Sequence, residues 1–239
     1  STAANRIFTN PTLPPEKVKT TEVSILWDNS NNSDGLKIFA EISAFNSNFS
    51  GAIQSVETNI DGVVGNQNQD VGELDIIGGQ IRSNFMFNSN LSFELNYTYT
   101  DPKLKQFDSS TGALGDAVRI GDISTHKGNL ILDWKFKKFK NDKGFHCNWN
   151  NRLNISDVRP TGSETSVSSN PFNNIDGFAI LNSYFSYQSK SGLLFGIGVD
   201  NVFDQEWFVP GARSASGIFA SRVPQQNRNY FFRIGYDLR

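Results

Sequence analysis

The stretch Leu91-Ser92-Phe93-Glu94-Leu95-Asn96-Tyr97-Thr98-Tyr99 decides the fold. Leu91, Phe93, Leu95, Tyr97 and Tyr99 alternate with Ser92, Glu94, Asn96 and Thr98, the period-two pattern of a strand with one apolar and one polar face. Leu193, Phe195, Ile197 and Val199 alternate in the same way with Gly196, Gly198 and Asp200. At the end of the chain Tyr230, Phe232, Ile234, Tyr236 and Leu238 oppose Phe231, Arg233, Gly235 and Asp237. Helical periodicity is nearly absent.

Extending this pattern outward predicts nine strands, near residues 17–27, 36–57, 73–87, 91–100, 126–136, 145–157, 178–188, 192–204 and 229–238. Their connections alternate in length. Short turns fall at 28–35, 88–90, 137–144 and 189–191, and long loops at 58–72, 101–125, 158–177 and 205–228. Short turns at one end and long extracellular loops at the other are the pattern of a transmembrane antiparallel β-barrel. A soluble β-sandwich gives no reason for that alternation.

Pairing across the short turns tests the pattern, because a one-residue slip would expose the wrong face. Around 88–90 it sets Phe93 opposite Phe85, Leu91 opposite Phe87, Glu94 opposite Asn84 and Asn96 opposite Arg82. Around 189–191 it sets Phe195 opposite Phe185, Leu193 opposite Tyr187, Val199 opposite Leu181 and Gly198 opposite Asn182. Around 137–144 it sets Phe145 opposite Phe136, Cys147 opposite Trp134, Trp149 opposite Leu132 and Asn148 opposite Asp133. Around 28–35 it sets Leu36 opposite Trp27 and Ile38 opposite Ile25. Like meets like in all four. Aromatics such as Trp27, Phe87, Tyr97, Tyr99, Trp134, Phe136, Phe145, Tyr187, Phe232 and Tyr236 gather at strand ends, as in the two interfacial girdles of a membrane barrel.

Composition agrees. Charged residues are 19% and aromatics 13% of the 239 residues, which excludes a disordered chain. No apolar run is long enough for a spanning helix. A net charge of −2 predicts no nucleic-acid partner, and one cysteine excludes a disulfide framework. A start at Ser1, with no leader pattern, predicts a mature or excised piece. Nine strands cannot close an antiparallel barrel, so either the count is off by one or the chain is part of a larger barrel.

The run Gly177-Phe178-Ala179-Ile180-Leu181-Asn182, then Asp200-Asn201-Val202-Phe203-Asp204-Gln205-Glu206-Trp207-Phe208, closing on Asn229-Tyr230-Phe231-Phe232-Arg233-Ile234-Gly235-Tyr236, resembles the C-terminus of TonB-dependent outer-membrane receptors. Asn10-Pro11-Thr12-Leu13-Pro14-Pro15-Glu16 with Glu22 is similar to an earlier segment of that family. Phe45–Ile53 and His126–Leu130 sit where comparable stretches fall. Val202 replaces a commoner Leu, and the chain stops at Leu238-Arg239 rather than at an aromatic. The resemblance covers essentially residues 1–239. It implies about nine strands of a roughly 22-stranded barrel, with the remaining strands and an N-terminal plug supplied elsewhere. It also implies a TonB-type energy-transducing complex acting through the plug, residence in the bacterial outer membrane, and uptake of a scarce nutrient such as a ferric siderophore. The alternative is a stand-alone small barrel acting as passive pore or adhesin.

Site residues follow from position. The polar face carries Glu22, Glu41, Arg82, Glu94, Asp133, Lys135, Arg152, Asp200, Arg233 and Asp237, expected to face the lumen and the plug, with Glu94 one diagonal step from Arg82. The 158–177 loop offers Arg159 and Phe172. The 205–228 loop offers Trp207, Phe208, Arg213, Phe219, Arg222 and Arg228, whose guanidinium forks and ring faces suit an anionic, ring-bearing chelate. No enzymatic activity, metal site or cofactor is expected. His126 and His146 lie far apart on one hairpin, His146 and Cys147 point to opposite faces, and nothing else converges on Asp122, Ser124 and His126.

Overall fold

The structure is a computed structural model that describes residues 6–31, 35–108, 113–121, 123–137, 145–157, 159–160, 174–189, 191–211 and 222–237. Its main sheet contains β1 (Lys17–Asp28), β2 (Lys37–Ser50), β3 (Gly72–Asn88), β4 (Leu91–Phe107), β5 (His126–Lys137), β6 (Phe145–Ser156), β7 (Phe178–Ser189), β8 (Leu193–Asp200) and β9 (Asn229–Tyr236). Each strand pairs antiparallel with the next in chain order, and a short tenth strand, Leu114–Arg119, pairs with the far end of β4. The nine expected strands are therefore present and consecutive. The sheet does not close on itself: β1 and β9 are its two edges.

A single sheet has no interior. Among the described residues the large buried apolar side chains are Pro102, Leu104, Ile175 and Ile180, while Val23, Ile25, Trp27, Ile42, Phe185, Ile197, Phe232 and Ile234 are all exposed. The accessible surface is 16149 Å², against roughly 11,000 Å² for a compact monomer of this 26.6 kDa mass. The strand periodicity gathers that apolar surface on one face, where Ile25 pairs with Ile42, Ile42 with Ile81, Phe85 with Phe93, Phe93 with Leu132 and Trp134 with Trp149.

The observed registers keep every face but shift three of the four hairpins. Around 88–90, Phe85 meets Phe93 and Asn84 meets Glu94 as expected, but Leu91 pairs with Asn88 across a bulge rather than with Phe87. Tyr187 meets Phe195 and Phe185 meets Ile197, two residues from the expected pairing. Cys147 meets Phe136 and Trp149 meets Trp134, again a shift of two. Trp27 meets Ala40 and Ile25 meets Ile42, a shift of four. Apart from that one-residue bulge at the turn only even slips occur, because an odd slip would carry the whole apolar set to the wrong face and an even slip does not. The first turn is lengthened by Asn29, whose side chain bonds the Ile38 N–H and the Leu36 carbonyl.

The loops hold more structure than expected. The segment 36–57 is not one strand. It breaks at Gly51, in the left-handed region at φ 76°, and Ile53–Ile60 then folds back on Val63–Asp70. That hairpin overturns the reading of 58–72 as loop. Its turn is Asp61-Gly62, with φ 52° and 79°, and two positive φ values are what a tight two-residue hairpin turn needs. Ile7–Phe8 adds to the hairpin in parallel. β4 runs past the expected end at 100 to Phe107, and Pro102 falls where its neighbour changes from β5 to Leu114–Arg119, so a missing N–H interrupts neither ladder. β8 ends at Asp200 rather than near 204. Residues 138–144 of the turn and most of 158–177 lie outside the described residues.

Aromatic rings lie flat over glycines on the polar face. A Cβ on Gly78 would meet Phe45, one on Gly196 would meet Tyr184, and one on Gly198 would fall 2.0 Å from Phe231. Tyr184 and Phe231 stack at 5.7 Å with 11° between their planes. Gly198→Ala is expected to lower stability by about 1–3 kcal/mol through overpacking, read as a lower thermal midpoint in detergent. Adding Phe231→Ala should recover part of that loss, and equal midpoints for wild type and Gly198→Ala would contradict the packing.

Candidate functional site

Following the pairs across the sheet brings the charged candidates of the polar strands onto one face. Glu41 pairs with Arg82, and Arg82 with Asn96. Glu94 shares a rung with Ile131, Arg152 and Asn182. Tyr184 shares one with Gly198 and Phe231. By the two-residue repeat, Glu22, Asp133, Lys135, Asp200, Arg233 and Asp237 have the same facing. Arg82 sits between Glu41 and Asn96, its guanidinium carbon 5.8 Å from the Phe39 ring centre. Among the described residues Arg82 and Glu94 form no ion pair. Glu94 instead accepts from Asn96 Nδ2 at 2.8 Å, and the same nitrogen donates to Asn129 Oδ1 at 3.0 Å.

Toward the long-loop end this face holds a concavity of about 400 Å³, whose wall includes Asn96, Thr98, Lys127, Asn129, Asn154, Ser156 and Phe178. Two rungs build it: Asn96, Asn129 and Asn154 on adjacent strands, then Thr98, Lys127, Ser156 and Phe178. Three amides, three hydroxyls (Thr98, Ser124 and Ser156), one ammonium and one ring, with Ile123 and Ile155 beside them, make a surface suited to a polar or anionic ligand with an aromatic portion. Lys127, Asn129 and Asn154 were not singled out from the sequence. Each is an ordinary polar strand residue, and only the inter-strand register shows that they are neighbours.

The rim is fixed by hydrogen bonds. Ser124 Oγ lies 2.7 Å from both Asp157 Oδ1 and the His126 carbonyl, and it accepts from Ser156 Oγ at 3.0 Å. The Asp157 amide also donates to the His126 carbonyl at 3.0 Å. The His126 ring turns to the other face, its Nδ1 2.7 Å from Tyr97 Oη and its centre 5.3 Å from Tyr99. Ser124 and the His126 imidazole are thus engaged separately, and Asp122 lies outside the described residues. His146 pairs with Lys137, at the opposite end of β5 from His126.

A polar knot then anchors the loop that follows β8. Asn201 adopts φ 52° and Asp204 φ 56°, left-handed conformations that Asn and Asp tolerate best among side-chain-bearing residues. Asn201 Nδ2 donates to the Gln205 carbonyl at 2.8 Å and its Oδ1 accepts from the Gln205 amide at 2.9 Å, closing a ring across the turn. The Asn201 amide donates to Asn182 Oδ1, the Val202 amide to the Leu181 carbonyl, and the Ala179 amide to Gln205 Oε1, all onto β7. Asp204 Oδ1 accepts from the Arg228 amide at 2.8 Å and so secures the far end of the loop.

The loop candidates fall into three groups. Trp207 packs on Phe178 at 4.7 Å and donates from Nε1 to the Gln226 carbonyl. Phe208–Pro210 pairs with Arg222–Pro224, and the Arg222 guanidinium lies 4.2 Å over the Phe208 ring. Through Phe178 this group continues from the wall of the concavity. Arg228 is held by its backbone at the base of β9. Arg159 pairs through its backbone with Ile175, and Phe172, Arg213 and Phe219 lie outside the described residues.

Residues 1–202 match the protein family described as TonB dependent receptor-like, beta-barrel. No curated protein matches the chain. Among solved structures the chain is similar to BauA, the ferric preacinetobactin receptor from Acinetobacter baumannii, at a TM-score of 0.68 and 15% identity over 97% of this chain and 32% of that one. It is also similar to Fiu, the ferric-catecholate import receptor from K12 E. coli, at 0.63 and 18% over 93% and 28%. A third likeness is to the copper transporter OprC, at 0.63 and 16% over 95% and 32%. The chain spans about a third of these proteins' length, and at such identities the likeness carries the fold alone.

Asn201→Ala removes the ring to Gln205 and puts a less tolerant residue at positive φ, a loss of about 1–3 kcal/mol. Hydrogen exchange should accelerate at the Val202, Gln205 and Arg228 amides while the β4 amides stay protected. Unchanged exchange at all three would remove the knot's anchoring role.

Proposed function

The chain belongs to the TonB-dependent receptor β-barrel family, and on that premise we propose that it forms part of the wall and outer mouth of a receptor-transporter in the Gram-negative outer membrane. Its cargo in this reading is a scarce nutrient of the ferric siderophore class. The observation that carries the proposal is the division of one sheet into two faces. One carries exposed apolar side chains from Val23 and Ile25 to Phe232 and Ile234, and the other carries a charged and amide-rich surface with a 400 Å³ concavity toward the long loops. A cation set among amides and beside an aromatic wall suits a negatively charged, ring-bearing chelate.

The other partners follow from the same surface. Asn84 Oδ1, Asp133 Oδ1 and Asn148 Oδ1 are buried on the polar face, toward the short-turn end, with no hydrogen-bond donor among the described residues. A plug segment seated against this face would meet Glu22, Glu41, Arg82, Glu94, Asp133, Arg152, Asp200, Arg233 and Asp237, in line with their expected plug-facing role. Energy would reach the site through that plug from a TonB-type complex. Trp207, Phe208, Arg222 and Arg228, with Arg159, Phe172, Arg213 and Phe219 on the remaining loop segments, would border the vestibule. Because Phe208 and Arg222 already stack on one another, a ligand would meet them as a preformed wall.

The test is uptake by cells expressing the full-length receptor and supplied with labelled iron as catecholate, hydroxamate or mixed complexes. For the complex that is taken up, Lys127→Gln with Asn129→Ala should weaken surface binding about tenfold or more. A protonophore should abolish accumulation but spare binding. Binding indifferent to these substitutions would move the ligand away from the concavity, and accumulation that survives the protonophore would refute energised transport. Deleting 211–221, between the paired segments Phe208–Pro210 and Arg222–Pro224, should lower uptake while leaving the barrel folded. Full uptake by that deletion would remove the loop from the mechanism.

A further inference from the structure

A side-chain amide offers a donor on one side and an acceptor on the other, so turning it over exchanges what it presents. In the row Asn96, Asn129 and Asn154 that orientation decides what the concavity can hold. Asn96 and Asn129 pair across β4 and β5, and Glu94 precedes Asn96 by two residues on the same face of β4. A carboxylate accepts hydrogen bonds and donates none. Glu94 Oε1 therefore selects the nitrogen side of Asn96, whose Nδ2 donates to it at 2.8 Å. The same nitrogen gives its other hydrogen to Asn129 Oδ1 at 3.0 Å. The Asn129 oxygen is thereby engaged, and its Nδ2 is turned away from Asn96. Arg82, which pairs with Asn96 from the other side, leans over the Phe39 ring on β2 and leaves Glu94 to the amide.

Lys127 stands two residues from Asn129 on the same face of β5, roughly 7 Å away at the strand rise. Both line the concavity. Among the described residues neither the Lys127 ammonium nor Asn129 Nδ2 has a hydrogen-bond or ion-pair partner. They stand as two donors side by side, one of them charged. In the reversed row Asn96 would set its oxygen against the Glu94 carboxylate, acceptor against acceptor. Asn129 would then present its own oxygen beside Lys127, and the ammonium could donate to it and close the pair on itself. A hydrogen bond to a charged group is about twice as strong as one between neutral groups, so Glu94 keeps the reversed row a minor state.

We propose that Glu94 is a positioning residue of the ligand site, fixing the amide row so that Lys127 and Asn129 together present donors to an anionic oxygen group of the chelate. The inference rests on the reading of the concavity as the place where the ferric chelate binds. Glu94 acts through Asn96 and Asn129 and does not itself touch the ligand. The sign of its effect separates this role from plain electrostatics. A carboxylate repels a nearby anion, so by charge alone its removal tightens anion binding. Acting through the row, its removal loosens anion binding, because part of the population reverses and Lys127 is drawn to the Asn129 oxygen.

The experiment uses the full-length receptor in detergent and two iron(III) probes, an anionic tris-catecholate chelate and an uncharged tris-hydroxamate chelate, with binding read by titration calorimetry. Glu94→Gln should weaken the catecholate about fivefold and change the hydroxamate by less than about twofold. Asn96→Ala keeps the carboxylate but breaks the link, and should weaken the catecholate to a similar extent. In an Asn129→Ala background Glu94→Gln should no longer weaken it, since the cycle isolates what the two residues do jointly. Tighter catecholate binding by Glu94→Gln overturns the role and leaves only charge repulsion. Equal losses for both probes, or the same loss with and without Asn129, also overturn it, since a plug contact or a disturbed barrel would give them. Wild-type binding of the hydroxamate but not the catecholate overturns it as well. If the wild type binds the catecholate and Glu94→Gln and Asn96→Ala match it, only this role falls. If the wild type binds neither probe, the ferric-chelate reading falls and the role of Glu94 with it.

Discussion

Backbone pairing in a medium without water governs this structure. In hydrocarbon an unpaired N–H or C=O costs several kcal/mol, so a lipid-facing strand must be paired on both sides. β2 through β8 meet that requirement along the sheet, and β1 and β9, each paired on one side only, require further strands beyond them. The same antiparallel pairing fixes the side chains. Once each strand is locked to its neighbours, every second residue faces lipid and the intervening ones face the opposite side, and the main sheet has no other interior in which to hide a misplaced group.

That constraint explains what could be read in advance. A fault of one residue anywhere would turn an entire strand inside out, so the alternation in Leu91–Tyr99 or Leu193–Asp200 is written strongly, and the facing of Glu41, Arg82, Glu94 and Arg152 could be read from it. A fault of two residues leaves both faces intact, so alternation carries almost no information about turn length. The hairpins at 28–35, 137–144 and 189–191 differ from expectation in that respect alone. The hairpin Ile53–Val71 did carry a local signal, Asp61-Gly62 between β-branched residues, which was hidden by reading the polar run Gly65–Asp70 as loop.

The concavity was less legible for a related reason. Asn96, Asn129 and Asn154 are separated by tens of residues and become neighbours only through two registers at once. Lys127 looks like any solvated strand lysine until Phe178 and Ser156 are brought beside it. The Asn201–Gln205 segment lay in plain view as a resemblance motif, but its role required the fold. It is a capped turn that ties the last long loop to β7 and to the start of β9. Rings over glycines at Gly78, Gly196 and Gly198 are a further device of this kind, since they let bulky side chains lie across the polar face without widening the sheet.

The central claim, that a single sheet meets lipid on one side and water on the other, is tested most directly by residue-by-residue accessibility along β4. Single cysteines at positions 91 to 99, in a Cys147→Ser background and in bilayers, would carry spin labels exposed to oxygen, which concentrates in lipid, and to a water-soluble paramagnetic reagent. Labels at 91, 93, 95 and 97 should respond to oxygen and those at 92, 94, 96 and 98 to the aqueous reagent, in strict alternation. Uniform access of the aqueous reagent to both sets would contradict the account, because both faces of the sheet would then be wet.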